Sequence, residues 1–597
     1  VLPAPAAPSR PSSAPRRGGR PLAALAAVAA LVAGCTGPDA TDPEPTPTPV
    51  TLRAAVTLPE APATVVPDED PAAAALAVSA ALFAEAPVAV LAAGGAPEHL
   101  APAASVGVAL GAPVLLPGDG LADELERLGT TELVALGDAP AADLPEGTRA
   151  TVVDGADTSE LADLGIEVGA AEPVPAAGLT AAVAGLSGPG PVLLAAADDA
   201  AADDAAADDG VADDDAQAGE PDAATPAAGD AERPAVLGAA GTTLATPDAP
   251  EGAALLVDPA ADSAAATVAA ATARAAGVPV VAVPGGDPRA TSAAVAALTG
   301  VTTVLAVGPT FGDAARLGTR VEAAATGVEL PGGGQLVFPV RGPGVAGKRY
   351  VALYGTPGTP SLGVLGEQDV PATVARAEQT AAQYDPLTDD TVVPMLEIIA
   401  TVASAGPEAD GSYSRPRAVE DLRPLVEAAE AAGQPVLIDL QPGRTDFLTQ
   451  AQQFAPLLEY PHVGLALDPE WRLKPDQVHL RQIGSVGIDE VNATAAWLAQ
   501  FTRDRDLPQK MFLLHQFSLR MITERERLDT SHDELAMIIH ADGQGSQPAK
   551  AGTWATLRQG APPVHWGWKN FYDEDLPMLD PVQTYQVQPV PDLVTYQ

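Results

Sequence analysis

Val463-Gly464-Leu465-Ala466-Leu467-Asp468-Pro469-Glu470-Trp471 is a run of five apolar residues that ends on two acids and a tryptophan. Its length suits a buried strand, and the acids fall where such a strand gives way to a loop. Seven comparable runs lie around it, at 350–354, 392–397, 435–439, 511–515, 535–540, 564–568 and 592–596. Helix-length segments separate them. The segment 489–505, for example, sets Val491, Ala495, Leu498 and Phe501 on one face. Eight strands alternating with helices across 348–597 predict a closed (β/α)8 barrel, the TIM type. Polar residues collect at or just past the strand ends: Glu397, Asp439, Asp468, Glu470, His515, His540, Asp542, Trp566 and Trp568. In barrels that edge carries the chemistry.

Converging carboxyls suit glycoside hydrolysis, in which one is kept protonated as general acid and another stabilises positive charge or activates water. Tyr354, Trp471, Trp566 and Trp568 offer flat faces for sugar rings. The triplet Asp468-Pro469-Glu470 resembles the Asp-x-Glu ending of the fourth strand in chitinase-like and muramidase-like barrel glycosidases. That resemblance implies Glu470 as proton donor and Asp468 as its helper. The expected catalytic set is therefore Glu470, Asp468, Asp542 and Glu397, with Asp439, His515, Tyr354, Trp566 and Trp568 binding substrate. Two other readings stay open: a barrel that binds carbohydrate without cutting it, and hydrolysis at a divalent ion gathered by His515, His540, Asp542 and His565. The first strand ends Tyr354-Gly355-Thr356-Pro357, without the His-x-His that barrel amidohydrolases offer there, so neither a resident metal nor a cofactor is expected. A Gly-x-Ser-x-Gly elbow and a phosphate-binding glycine loop are likewise missing from the sequence.

The region before Lys348 has a different composition. All the Lys, Trp, Met and Tyr residues lie at or after that position, and the earlier part is mostly Ala, Gly, Val, Leu, Pro and Asp. Short apolar runs at 88–91, 111–116 and 133–137 alternate with Ala-rich helical stretches, and a matching order returns about 166 residues later at 255–258, 277–281 and 304–308. Such alternation predicts a parallel βαβ repeat domain over 53–335. The pattern of apolar strand, Ala-rich helix and Gly-Ala-Pro-Val-Leu-Leu strand resembles the type-two cell wall binding repeat of Gram-positive surface proteins. That likeness implies attachment to cell wall polysaccharide. Between Asp198 and Glu232 stand 13 acidic residues and no Lys or Arg, so 198–233 is expected to be a solvated, disordered insertion, and 336–347 a linker into the barrel.

Arg16, Arg17 and Arg20 precede an apolar stretch over 21–34, short for a membrane span and suited to a signal-peptide core. It ends in Leu31-Val32-Ala33-Gly34-Cys35, which resembles a bacterial lipobox. This implies cleavage after residue 34 and a lipid on Cys35, which is the one cysteine of the chain. Residues 35–52, rich in Pro and Thr, read as a tether from the outer face of the cell membrane. With 32 basic against 78 acidic residues the net charge is −46, which repels phosphate backbones and argues against nucleic acid as a partner. As a whole, the chain resembles wall-associated lipoproteins of actinobacterial surfaces.

Overall fold

A computed structural model of the 597-residue chain describes residues 50–67, 69–137, 144–153, 158–188, 190–197, 233–234 and 242–597. The signal-peptide core, Cys35, most of the tether and nearly all of the acidic insertion lie outside the described residues.

The eight expected strands form a closed, all-parallel barrel. In chain order they are Lys348–Gly355, Thr391–Ala403, Val436–Leu440, Val463–Leu467, Lys510–Gln516, Leu535–Ala541, His565–Asn570 and Leu593–Tyr596. Each pairs with the next, and the first pairs with both the second and the eighth, so the cylinder has no open edge. Side chains alternate across each strand. Val351, Leu353, Ile398, Ile438, Leu465 and Phe512 point outward and pack under helices such as Val370–Ala381, Val419–Ala431 and Ile488–Arg503. Tyr350, Ala352, Met395, Leu437, Ala466, Leu513 and Ile538 have the other parity and fill the interior. After the fifth strand, two single 3-10 turns, Leu519–Met521 and Arg525–Arg527, stand where a helix would complete the repeating pattern.

The lower mouth of the barrel, at the strand starts, is sealed. Leu330 and Val337 enter the interior cluster, the Tyr350 hydroxyl donates to the Val337 carbonyl at 2.8 Å, and the Lys348 ammonium donates to the Leu336 carbonyl at 3.0 Å. The first residues of the expected linker are therefore a buried plug, because the apolar run Leu336-Val337-Phe338 finds an open apolar mouth to fill.

Before the barrel, two four-stranded parallel sheets carry the N-terminal apolar runs. One runs Val114–Leu115, Val88–Leu91, Glu132–Leu136, Arg149–Val153 across the sheet; the other runs Val280–Ala282, Ala253–Val257, Thr303–Val307, Ala63–Val66. The Ala-rich helices Pro71–Leu82, Pro97–Leu110 and Ala264–Ala275 share one core with these strands. This α/β part docks beside the sealed mouth. Arg289, Arg316 and Arg320 converge on Asp533, just ahead of the sixth barrel strand, and hold its carboxyl well below the usual range although burial pushes it up. The opposite mouth, at the strand ends, stays open.

Candidate active site

The inward parity that is apolar lower in the barrel turns polar in its top layer. Tyr354, Glu397, Asp439, Asp468, His515, His540, Lys569 and Thr595 continue the inward positions of the eight strands in order, and Asp542 follows just past the sixth. Above them opens a cleft of about 450 Å³, lined among others by Tyr354, Asp468, Glu470, Trp471, Asp542 and Lys569.

At the centre lies His515, fully buried. Its Nε2 is 2.6 Å from Glu397 Oε1 and 3.8 Å from Asp439 Oδ1. Its Nδ1 is 3.0 Å from Asp542 Oδ2, an ion-pair distance at an angle too bent for a good hydrogen bond. Burial alone would depress this imidazole, but Glu397 and Asp542 outweigh it and raise His515 well above the ordinary histidine value. Lys569 Nζ lies 3.2 Å from Asp542 Oδ1 and sits 3.6 Å from the centre of the Tyr354 ring, a cation–π contact. The Tyr354 hydroxyl donates to Asp439 Oδ2 at 2.9 Å, and the Thr595 hydroxyl to Glu397 Oε2 at 3.4 Å.

Five carboxyls face two cations, and the environment sorts them. Burial pushes Asp542 and Glu397 up, yet the cations win: Lys569 and His515 hold Asp542 well below the usual range, and His515 holds Glu397 below its own. Burial dominates in the other three. It lifts Asp439 to about 7, lifts Glu470 to about 7 with help from the Asp542 charge, and lifts Asp468 well above its ordinary value with help from Glu470. Neighbouring His540 has neither ring nitrogen hydrogen-bonded, and burial, followed by the charge on His515, lowers it to about 3. Two ionised carboxyls stand against two cations, and burial biases the other three carboxyls toward their acid forms and His540 toward its neutral form, which brings the buried layer toward the electroneutrality that a water-poor interior favours.

Among the described residues, Glu397, Asp439 and His515 each offer a ligand atom within 4.8 Å of the others, a geometry open to a divalent ion. Such an ion would compete with the proton His515 shares with Glu397. Of the four residues weighed for a metal in the sequence, His565 is far from this cluster. It stacks on Phe338 at the sealed mouth, 3.3 Å from Asp592.

Glu470, Asp468, Asp542, Tyr354, Asp439, His515 and Glu397 are thus brought to one end of the barrel, with Glu397, Asp439 and His515 buried beneath the cleft rather than lining it. Trp566 and Trp568 are not. They have outward parity and pack edge-on against Trp554 of the helix Gln547–Arg558, at 5.7 and 5.6 Å. The inward positions of that strand are Gly567 and Lys569. Lys569 is the site residue that sequence reading passes over, and the signal for it is the same alternation: Gly567, between the two tryptophans, and Lys569, just after them, share a face.

No protein-family model matches this chain, and no curated protein matches it. Among solved structures, Cwp6 from Clostridium difficile is similar at 14% identity with a TM-score of 0.29, covering 64% of this chain and 62% of that one. The chain therefore spans less than two thirds of the length of that structure, and a likeness this weak carries no argument about either fold or activity.

Proposed function

We propose that the barrel is a glycoside hydrolase acting on cell wall glycan or another N-acetylated extracellular polysaccharide. The observation that carries this reading is a pair of carboxyls of opposite protonation in one cleft: Glu470, kept protonated to about pH 7 by burial, and Asp542, kept ionised by Lys569 and His515. Environments that push two carboxyls apart in this way assign acid and base roles. Glu470 gives its proton to the glycosidic oxygen as the bond to the anomeric carbon breaks, Asp542 faces the positive charge that develops on the sugar, and water then bonds to that carbon and gives a proton back to Glu470. Asp468, protonated beside Glu470, orients the acid or the substrate's acetamido group, and Trp471 supplies a stacking face. In the same reading the chain is exported, anchored through a lipid on Cys35 to the outer face of the membrane, and held near its substrate by wall-binding repeats within 53–335.

The purified protein, incubated with peptidoglycan and chito-oligosaccharides, is expected to release new reducing ends, and Glu470→Gln to release about 100-fold fewer or less. Activity should fall as pH rises through about 7, where Glu470 loses its proton. If neither protein releases ends while both sediment with the wall, the barrel is a binding module and the hydrolase reading fails.

A further inference from the structure

We propose that Glu397, Asp439 and His515 form a binding site for one divalent cation, zinc in the first place, beneath the floor of the cleft. The first strand, which lacks a His-x-His pair, contributes no ligand; the three come from the second, third and fifth strands. Each offers an atom to a common point. Glu397 Oε1 lies 2.6 Å and Asp439 Oδ1 3.8 Å from His515 Nε2, and one ligand atom from each residue falls within 4.8 Å of the others. Atoms bound at about 2.1 Å to one tetrahedral zinc stand about 3.4 Å apart. The two separations fall on either side of that figure, so small side-chain shifts bring the three to one ion.

The ligands are held from behind. The Thr595 hydroxyl donates to the second oxygen of Glu397 at 3.4 Å, and the Tyr354 hydroxyl to the second oxygen of Asp439 at 2.9 Å, so each carboxyl turns its remaining oxygen toward the imidazole. Outer contacts of this kind orient metal ligands. The independent sign of a ligand is a polar atom without a partner. Asp439 Oδ1, on a side chain with no exposure, accepts no hydrogen bond and faces His515 Nε2. On the neighbouring sixth strand His540 is equally buried, its ring meets that of His515 edge-on at 5.1 Å, and neither of its nitrogens is hydrogen-bonded. Buried acceptors left unpaired are costly, and a cation relieves that cost.

Charge points the same way. Five carboxyls converge on this layer with a single lysine, and Lys569 is committed to Asp542 at 3.2 Å. Two carboxylates and an imidazole make a mixed oxygen and nitrogen set, which suits zinc, and manganese after it, better than the oxygen-seeking calcium and magnesium. None of the three ligands lines the cleft, so the ion touches no sugar. It replaces the proton that His515 shares with Glu397, while the ring keeps Nδ1 turned to Asp542, 3.0 Å away, so a positive charge still stands on that side of the carboxylate.

The test takes the full chain, freed of metal with a chelator, and titrates it with zinc chloride alone in a calorimeter. One zinc should bind tightly per chain, and Asp439→Asn should weaken it about 100-fold or more, since even an outer contact is worth about 10–100-fold. X-ray absorption of the zinc-loaded parent gives a reading that does not depend on whether the variant folds: imidazole nitrogen together with carboxylate oxygen in the first shell supports the site. A shell of oxygens alone would put the ion among other acidic residues and overturn it. So would a parent that binds no zinc stoichiometrically, or a folded Asp439→Asn that binds it as tightly. Neither measurement involves a glycan, so a zinc site in a protein that cuts none sinks the hydrolase reading alone, and a hydrolase that binds no zinc sinks the metal site alone.

Discussion

The two ends of the barrel bury lysines in opposite ways. At the sealed mouth, Lys510 is 1% exposed and donates to the carbonyls of Tyr460 and Val463 at 3.1 and 2.8 Å; burial lowers it to about 7. Lys348, at the start of the first strand and bonded to one carbonyl, is lowered by burial to about 8. At the open mouth, Lys569 is 2% exposed, yet it is raised above its ordinary value, because Asp542 and the neighbouring acids outweigh the burial that pulls it down. Depth is the same in the two places. What differs is whether the partner carries a full charge or only a carbonyl dipole, and this sets which lysine is a fixed cation and which is a group that can shed its proton.

The comparison breaks most visibly at Lys569. Lys569→Met removes a cation from Asp542, which then keeps its charge against His515 alone or takes up a proton. Removing one partner of a buried pair costs about 3–5 kcal/mol, so urea unfolding should show a large drop, and glycan hydrolysis should fall with it. A variant that unfolds like the parent would mean that Lys569 is as dispensable as a carbonyl-bonded lysine, and the contrast between the two ends would vanish.

Gly567 tests how tightly the polar layer is packed. A Cβ built on it would stand 2.1 Å from a ring carbon of His540, whose ring in turn meets that of His515 edge-on at 5.1 Å. Gly567→Ala should therefore cost about 1–3 kcal/mol, the usual penalty for overpacking an interior. A neutral effect on thermal unfolding would show a loose upper layer, unlike the apolar one beneath it.

Much of this was legible in the residues themselves. Eight short apolar runs located all eight barrel strands, because a strand buried on both faces is apolar nearly throughout and stands out against the helical segments. The acids and His515 at the run ends pointed to the open mouth for the same reason: polar residues are tolerated only where a strand leaves the core. Parity was harder to read. Trp566 and Trp568 looked like platforms for sugar until Trp554, on a helix after the preceding strand, proved to be their partner, and a pairing at that separation leaves no local mark. Lys569 was hidden by the same misassigned face. The plug formed by Leu336 and Val337 was equally unreadable, since whether a short apolar stretch is linker or core depends on a cavity that exists only once the barrel has closed. The charge sorting among Glu397, Asp439, Asp468, Glu470 and Asp542 is a property of distances, which composition does not contain.

The smallest expected effect lies at the sealed mouth, and its sign follows from the direction in which each lysine is shifted. The folded value of Lys510 is about 7, against about 10.4 for an unfolded lysine. Between those values the unfolded chain binds more protons than the folded one, so this residue makes the protein more stable as pH rises from 7 toward 10. Lys569 is shifted the other way: its contribution is fully present below the ordinary lysine value and is lost only as pH climbs through its higher folded value, so it adds no slope in that window. Lys510→Met removes two modest hydrogen bonds but also relieves the burial of a charge, so near pH 7 it should not destabilise the protein. It should also flatten the rise in unfolding free energy between pH 7 and 10, leaving the part due to Lys348. Urea titrations at pH 7, 8.5 and 10 on parent and variant measure the difference directly, and parallel curves would mean that Lys510 keeps its proton throughout, as Lys569 does, and that a ring of carbonyls can hold a buried ammonium as firmly as a carboxylate.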